Sequence, residues 1–240
     1  MAHLYTRRTD TRPMLGLIAL QADRSIEDDL RRLMPSDVSL LVSRVPSRVQ
    51  VTLDTLAEME GALTGAASLF PVGHRFDVVG YGCTSGTAQI GAQTVATRLQ
   101  AGTDVQHVTQ PLSALIAACN ALGVKRIAIL SPYVASVSDR LRDVLRDGGI
   151  ASPAFASFDE ANEAAVAQID DASIMDAAGV LMADADVDGL FLSCTNLRTL
   201  DVVAPLQERF GVPVLSSNLV LAWHMLQLAG RGVPTPRDLL

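Results

Sequence analysis

Residues 76–87 read FDVVGYGCTSGT, and residues 187–198 read VDGLFLSCTNLR. Laid over one another, the two stretches put Asp77 on Asp188, Cys83 on Cys194 and Thr84 on Thr195, a constant separation of 111 positions. Each is an apolar run opening into small and polar residues, the pattern of a strand buried on both faces and followed by a loop. The same shift carries Ser25 onto Ser136, Ile26 onto Val137, Asp28 onto Asp139, Leu30 onto Leu141 and Arg31 onto Arg142. Farther along, a shift of 107 takes Val105 to Val212, Thr109 to Ser216 and Gly123 to Gly230, so a single length change in a connecting loop reconciles the two registers. A repeat of this extent predicts two homologous lobes of roughly 100 residues each, related by a pseudo-twofold axis.

Working outward, four apolar runs read as buried strands: Met14 to Leu20, Phe76 to Tyr81, Arg126 to Leu130 and Gly189 to Leu192. Weaker strands are expected at Val38 to Val42, Val105 to Val108 and Pro213 to Leu215. Helical spacing marks Ser25 to Met34 and Ser136 to Arg146, each beginning with a serine suited to capping. Pro111 opens a further helix that should end at Gly123. Strands alternating with amphipathic helices give an α/β fold built on parallel sheets. In such sheets ligands bind beyond the carboxyl ends of the strands, which is where both cysteines fall.

The chain has 240 residues, 49% of them hydrophobic, enough to bury a core without staples. No apolar run is long enough to predict a membrane span, and the start MAHLYTRRTDTRP has no signal-like apolar stretch. Three cysteines make no disulfide framework, so reduced thiols in a cytoplasmic setting are expected. A net charge of −7 with scattered Lys and Arg gives no support to nucleic-acid binding. His3, His74, His107 and His224 lie at no ligand-like spacing, so no metal is expected. The glycines of GYGCTSGT fit neither a dinucleotide fingerprint nor a P-loop, so no cofactor is predicted.

A single cysteine after a strand is more often a small core residue than a nucleophile, and Cys119, inside ALIAACNALG, is read that way. Two symmetry-related cysteines point elsewhere. Cys83-Thr84-Ser85 and Cys194-Thr195-Asn196 each set a thiol among amides and hydroxyls at an expected helix start, which should lower the thiol pKa and attract an anion. Thiols on opposite faces of one carbon can exchange protons there. Alternatively, one can attack a double bond as nucleophile while the other acts as acid. Tyr133 and Asp23 lie on strand-end loops of the two lobes and are further candidates to meet a substrate.

At GYGCTSGT, GVKRIAILSPYVASVSDRL and LSCTNLRTLDVVAPLQERFGVPVLSSN the chain resembles the aspartate/glutamate racemase superfamily. The resemblance is to the branch of maleate cis-trans isomerases, arylmalonate decarboxylases and the racemase-like protein of ectoine utilisation. It implies two four-stranded parallel lobes with the site between them: residues 14–110 completed by 216–240, then 111–215; residues 1–13, from their composition, are expected to be a mobile tail. It also implies catalysis by Cys83 and Cys194, and a carboxylate held by Thr84, Ser85, Tyr133 and Thr195. Asn162 matches a substrate-binding asparagine of the maleate isomerases, or else caps a helix. Decarboxylases of this branch keep only the second cysteine, so Cys83 favours two-thiol chemistry. Asp23 stands where maleate isomerases have asparagine, and an aspartate there would receive an ammonium group more readily than an anion. The expectation is a cofactor-independent isomerase or racemase of a small carboxylate, a maleate-like diacid or an amino acid from compatible-solute breakdown. A Cys194-dependent decarboxylase and a non-catalytic binding paralogue are the alternatives, and a homodimer is the commonest assembly for such proteins.

Overall fold

The computed structural model describes residues 3–7 and 11–240. Strands β1 (Met14–Leu20), β2 (Ser39–Val45), β3 (Phe76–Gly82) and β4 (Val105–Thr109) form a parallel sheet in the order β2-β1-β3-β4. β5 (Arg126–Ser131), β6 (Ala151–Ser157), β7 (Gly189–Leu192) and β8 (Val214–Ser216) repeat that order as β6-β5-β7-β8. The first sheet is flanked by α1 (Ile26–Leu33), α2 (Leu53–Glu58), α3 (Glu60–Ala67), α4 (Thr84–Ile90) and α5 (Ala92–Gln100). The later helices are α6 (Pro111–Leu122), α7 (Ala135–Asp147), α8 (Glu163–Val166), α9 (Asp171–Met182), α10 (Leu200–Phe210) and α11 (Ser217–Leu228), before a short 3-10 turn at Pro236–Leu239. Of the expected N-terminal tail, residues 1, 2 and 8–10 lie outside the described residues; 3–7 form neither helix nor strand and are exposed.

The central strands are buried almost throughout, which is why they read as continuous apolar runs. The repeat also has a hydrogen-bonded counterpart. Asp77 accepts the Met14 amide at the start of β1, and Asp188 accepts the Lys125 amide at the start of β5. Met14 and Lys125 are themselves 111 positions apart. Gly123 and Gly230, related by the shorter shift, both turn the chain in the left-handed region after α6 and α11, at φ 74° and 72°. Those two helices pack on one another at the lobe junction, and α11 also lies against α1, β3 and β4.

Two expectations need correction. Ser25 does not cap α1 with its side chain; its hydroxyl donates to the Asn196 carbonyl, while Asp23 Oδ1 accepts the Ser25 and Ile26 amides. Ser136 lies inside α7, which begins at Ala135 after Val134. The sequence reading also passed over β6, an edge strand of sequence ASPAFAS that is only half-buried. Its pairing with β5 shifts register around Pro153, a residue that edge strands tolerate.

Candidate active site

The carboxyl ends of β3 and β7 deliver Cys83 and Cys194 to opposite walls of one cavity. Thr84, Ser85, Tyr133 and Thr195 line it as well, so six of the nine residues singled out from sequence converge. The cavity is small, about 20 Å³. A cover from the β2–α2 segment closes it, with Gln50, Val51, Thr55, Leu56 and Met59 in the wall. An outer cavity of about 290 Å³ shares Ser47, Arg48, Thr55 and Met59 with the inner one. The cover is stitched to the other lobe by an antiparallel bridge between Gln50 and Asn162. In that bridge Val51 N–H donates to Ala161 O, and Glu163 N–H donates to Val49 O.

Cys83 caps α4, its sulfur accepting the Gly86 amide at 3.1 Å. Gly86 is required there, because a Cβ would lie 2.7 Å from the Tyr81 hydroxyl oxygen and 2.8 Å from the Cys83 sulfur. Cys194 has a positive φ of 93°, unusual for a residue with a side chain. Its sulfur accepts the Asn196 amide at 3.3 Å and lies 2.9 Å from the Tyr133 hydroxyl. Its own amide donates to Ser217 Oγ, which also accepts the Thr84 hydroxyl, so one serine at the start of α11 joins the two walls.

The expected lowering of the thiol pKa is not found. Burial pushes Cys83 up to about 12 and Cys194 well above the ordinary thiol value, outweighing the amides that favour each thiolate. Both thiols are protonated at neutral pH in the closed site.

The three remaining candidates stand behind the wall. Asp23 is buried, its Oδ1 held by two amides; Oδ2 lacks a hydrogen-bond partner, because the nearby Thr195 hydroxyl donates to Gly82 O. Burial raises its pKa. Asn196 bolts the lobes together: Oδ1 accepts the Arg24 amide, and Nδ2 donates to the backbone and side-chain oxygens of Glu163. Asn162 caps α8 through the Ala164 amide.

Sequence reasoning missed Glu163. It lines the cavity at 3% exposure, and its Oε2 accepts the Tyr133 hydroxyl at 2.7 Å. In FDEANEAAV it reads as an ordinary acidic residue in the first turn of a helix, and no local signal separates it from its neighbours. Burial raises its pKa, against the hydrogen bonds from Tyr133 and Asn196. Among the described residues, no cluster of three or more His, Cys, Asp or Glu is arranged for a metal, and no helix is long and apolar enough to cross a membrane.

The arylmalonate decarboxylase family model matches residues 88–237, more than half of the chain. The chain belongs to the arylmalonate decarboxylase family. The match to the family begins past Cys83 and includes Cys194. Arylmalonate decarboxylase of Bordetella bronchiseptica is 33% identical over 61% of this chain and 60% of its own. A maleate isomerase of Pseudomonas putida is 26% identical over 64% of each chain. The aligned region thus spans less than two thirds of these relatives. The fold is shared over a greater length: a Nocardia farcinica maleate cis-trans isomerase, solved with a covalently bound succinylcysteine intermediate, superposes with a TM-score of 0.80 at 22% identity, over 95% of this chain and 98% of that one.

Proposed function

We propose that this protein is a cofactor-independent enzyme of the isomerase or racemase type, acting on a small carboxylate held between Cys83 and Cys194. The observation that carries this reading is the delivery of two pseudo-symmetric thiols to opposite walls of one closed cavity. Cys83 serves as nucleophile or base and Cys194 as proton donor. The succinylcysteine in the Nocardia isomerase supports covalent chemistry at one such thiol. The hydroxyls and amides of Thr84, Ser85 and Thr195 provide the polar surface for a carboxylate. The Glu163 carboxyl in the cavity wall favours a substrate that bears an amine as well.

A second reading, decarboxylation with Cys194 protonating an enediolate, is favoured by the family match and the relative at 33% identity. A panel of maleate, arylmalonate, hydantoin-like, aspartate-like and ectoine-derived acids followed by NMR in deuterated water separates the two. Exchange of an α-hydrogen or conversion of maleate to fumarate supports the first reading, and release of carbon dioxide supports the second. Cys83→Ser should abolish isomerisation or racemisation while sparing decarboxylation, and Cys194→Ser should abolish all three. If neither substitution changed turnover, the paired-thiol mechanism would be wrong.

A further inference from the structure

Burial opposes ionisation of both thiols while the site is closed. A closed cavity therefore needs an internal proton partner, and among the described residues it is the Cys194 wall that has a carboxyl hydrogen-bonded in line. From Cys194 Sγ the path runs 2.9 Å to the Tyr133 hydroxyl and 2.7 Å onward to Glu163 Oε2, all three groups buried. The sulfur of Cys83 instead accepts a backbone amide. We propose that Glu163 is the proton reservoir of Cys194, coupled to it through the Tyr133 hydroxyl.

The step balances. With Glu163 protonated, the 2.7 Å bond runs from its carboxyl O–H to the Tyr133 oxygen and leaves the Tyr133 O–H for sulfur; as the Cys194 S–H proton passes to substrate carbon, the Tyr133 proton moves to sulfur and the Glu163 proton to the tyrosine oxygen, after which Tyr133 donates to the Glu163 carboxylate. Cys194 ends as a thiol, Tyr133 as a phenol and Glu163 as a carboxylate; the reverse sequence stores a proton taken from carbon. Nothing is oxidised or reduced.

The surroundings suit a reservoir. Arg48, at the rim, is the one Lys or Arg among the described residues lining the cavity, and it pairs with Glu58. The other titratable groups facing this pair are Asp23 from the β1–α1 loop and Cys83 at the start of α4, and the Asp23 charge raises the proton affinity of Glu163. Asn196 and the Val49 carbonyl hold Glu163 in place from side chain and backbone.

This inference rests on Cys194 being the proton donor of the proposed reaction, but its test uses no substrate. The rate of Cys194 alkylation by iodoacetamide, resolved by peptide mass spectrometry, is measured from pH 5 to pH 10 in the intact protein. A thiol sharing one proton with a carboxyl titrates as a pair. Wild type should therefore show an acid limb above the ordinary carboxylate range, a plateau and an alkaline limb. Tyr133→Phe keeps the Glu163 charge but removes the hydrogen bond that favours the Cys194 thiolate, so the plateau should drop and the alkaline limb should move to higher pH, a loss of about tenfold at pH 7 for each pH unit of that move. Glu163→Gln removes both proton and charge; the acid limb should vanish and the alkaline limb shift to lower pH. Glu163→Asp should restore the two-limbed shape. A single limb in wild type, or the same profile in Glu163→Gln, would overturn the proposal and leave the paired-thiol reading to the substrate panel.

Discussion

A methyl group at position 86 would also meet the Met59 methyl at 2.9 Å, in addition to the Tyr81 oxygen and the Cys83 sulfur. Gly86→Ala gains up to about 1 kcal/mol of helix propensity but incurs about 1 to 3 kcal/mol of overpacking. Because the nearest atoms include the thiol itself, the expected outcome is a displaced Cys83 sulfur, seen as strongly reduced turnover with at most a modest drop in melting temperature. A variant with full turnover would show that the sulfur can shift without consequence. At this scale Cys83, Cys194, Thr84, Ser85, Thr195 and Tyr133 were legible, because strand-end loops and an internal repeat mark them in one dimension. Glu163 was not, since its burial comes from the Val49 carbonyl and Asn196, residues brought in from other parts of the chain. Asp23 and Asn196 drew attention in sequence but do not line the cavity: Asp23 Oδ1 is held by two amides, and Asn196 binds the Arg24 amide and Glu163.

At the scale of elements, the repeat is enforced at the entry to each inner strand. Asp77→Ala and Asp188→Ala each remove the acceptor for a strand-start amide, and each should lower stability by about 1 to 2 kcal/mol in urea unfolding. The two sites sit in different sheets and share no partner, so the double variant should lose the sum. A double variant no worse than either single one would mean that the lobes do not hold these carboxylates independently. The shifts of 111 and 107 forecast equivalent strands correctly because central strands must be apolar on both faces. The edge strand β6 escaped because an edge can use Pro153 and small half-exposed residues. The serine caps failed for other reasons: at α1 Asp23 Oδ1 takes the amides while the Ser25 hydroxyl turns to the Asn196 carbonyl, and α7 starts before Ser136.

At the scale of the whole molecule, the lobes meet through buried polar groups as well as apolar ones. Asp29 of α1 accepts the Asn218 amide group at the start of α11, and Asn218 also donates to the Thr195 carbonyl. Burial lifts the Asp29 pKa to about 6, above its unfolded value near 4. The native state thus holds an extra proton between those values, so stability falls as pH rises from about 4 to about 6, by on the order of 3 kcal/mol. Asp29→Asn keeps an acceptor for Asn218 and cannot ionise. Its advantage over wild type in urea unfolding should be large at pH 8 and near zero at pH 4; an equal difference at both pH values would exclude this linkage.

The inner cavity of about 20 Å³ has room for little more than one water, so a carboxylic acid cannot enter while the cover is down. Met59, common to the inner and outer cavities, lies between them, and Met59→Ala should accelerate iodoacetamide alkylation of both Cys83 and Cys194 at fixed pH. Unchanged rates would place the entrance elsewhere. If the entrance is here, ligand capture is timed by the opening of the cover rather than by collision. The observed association rate would then level off as ligand concentration rises, and a more firmly stitched Gln50–Asn162 bridge would lower that ceiling.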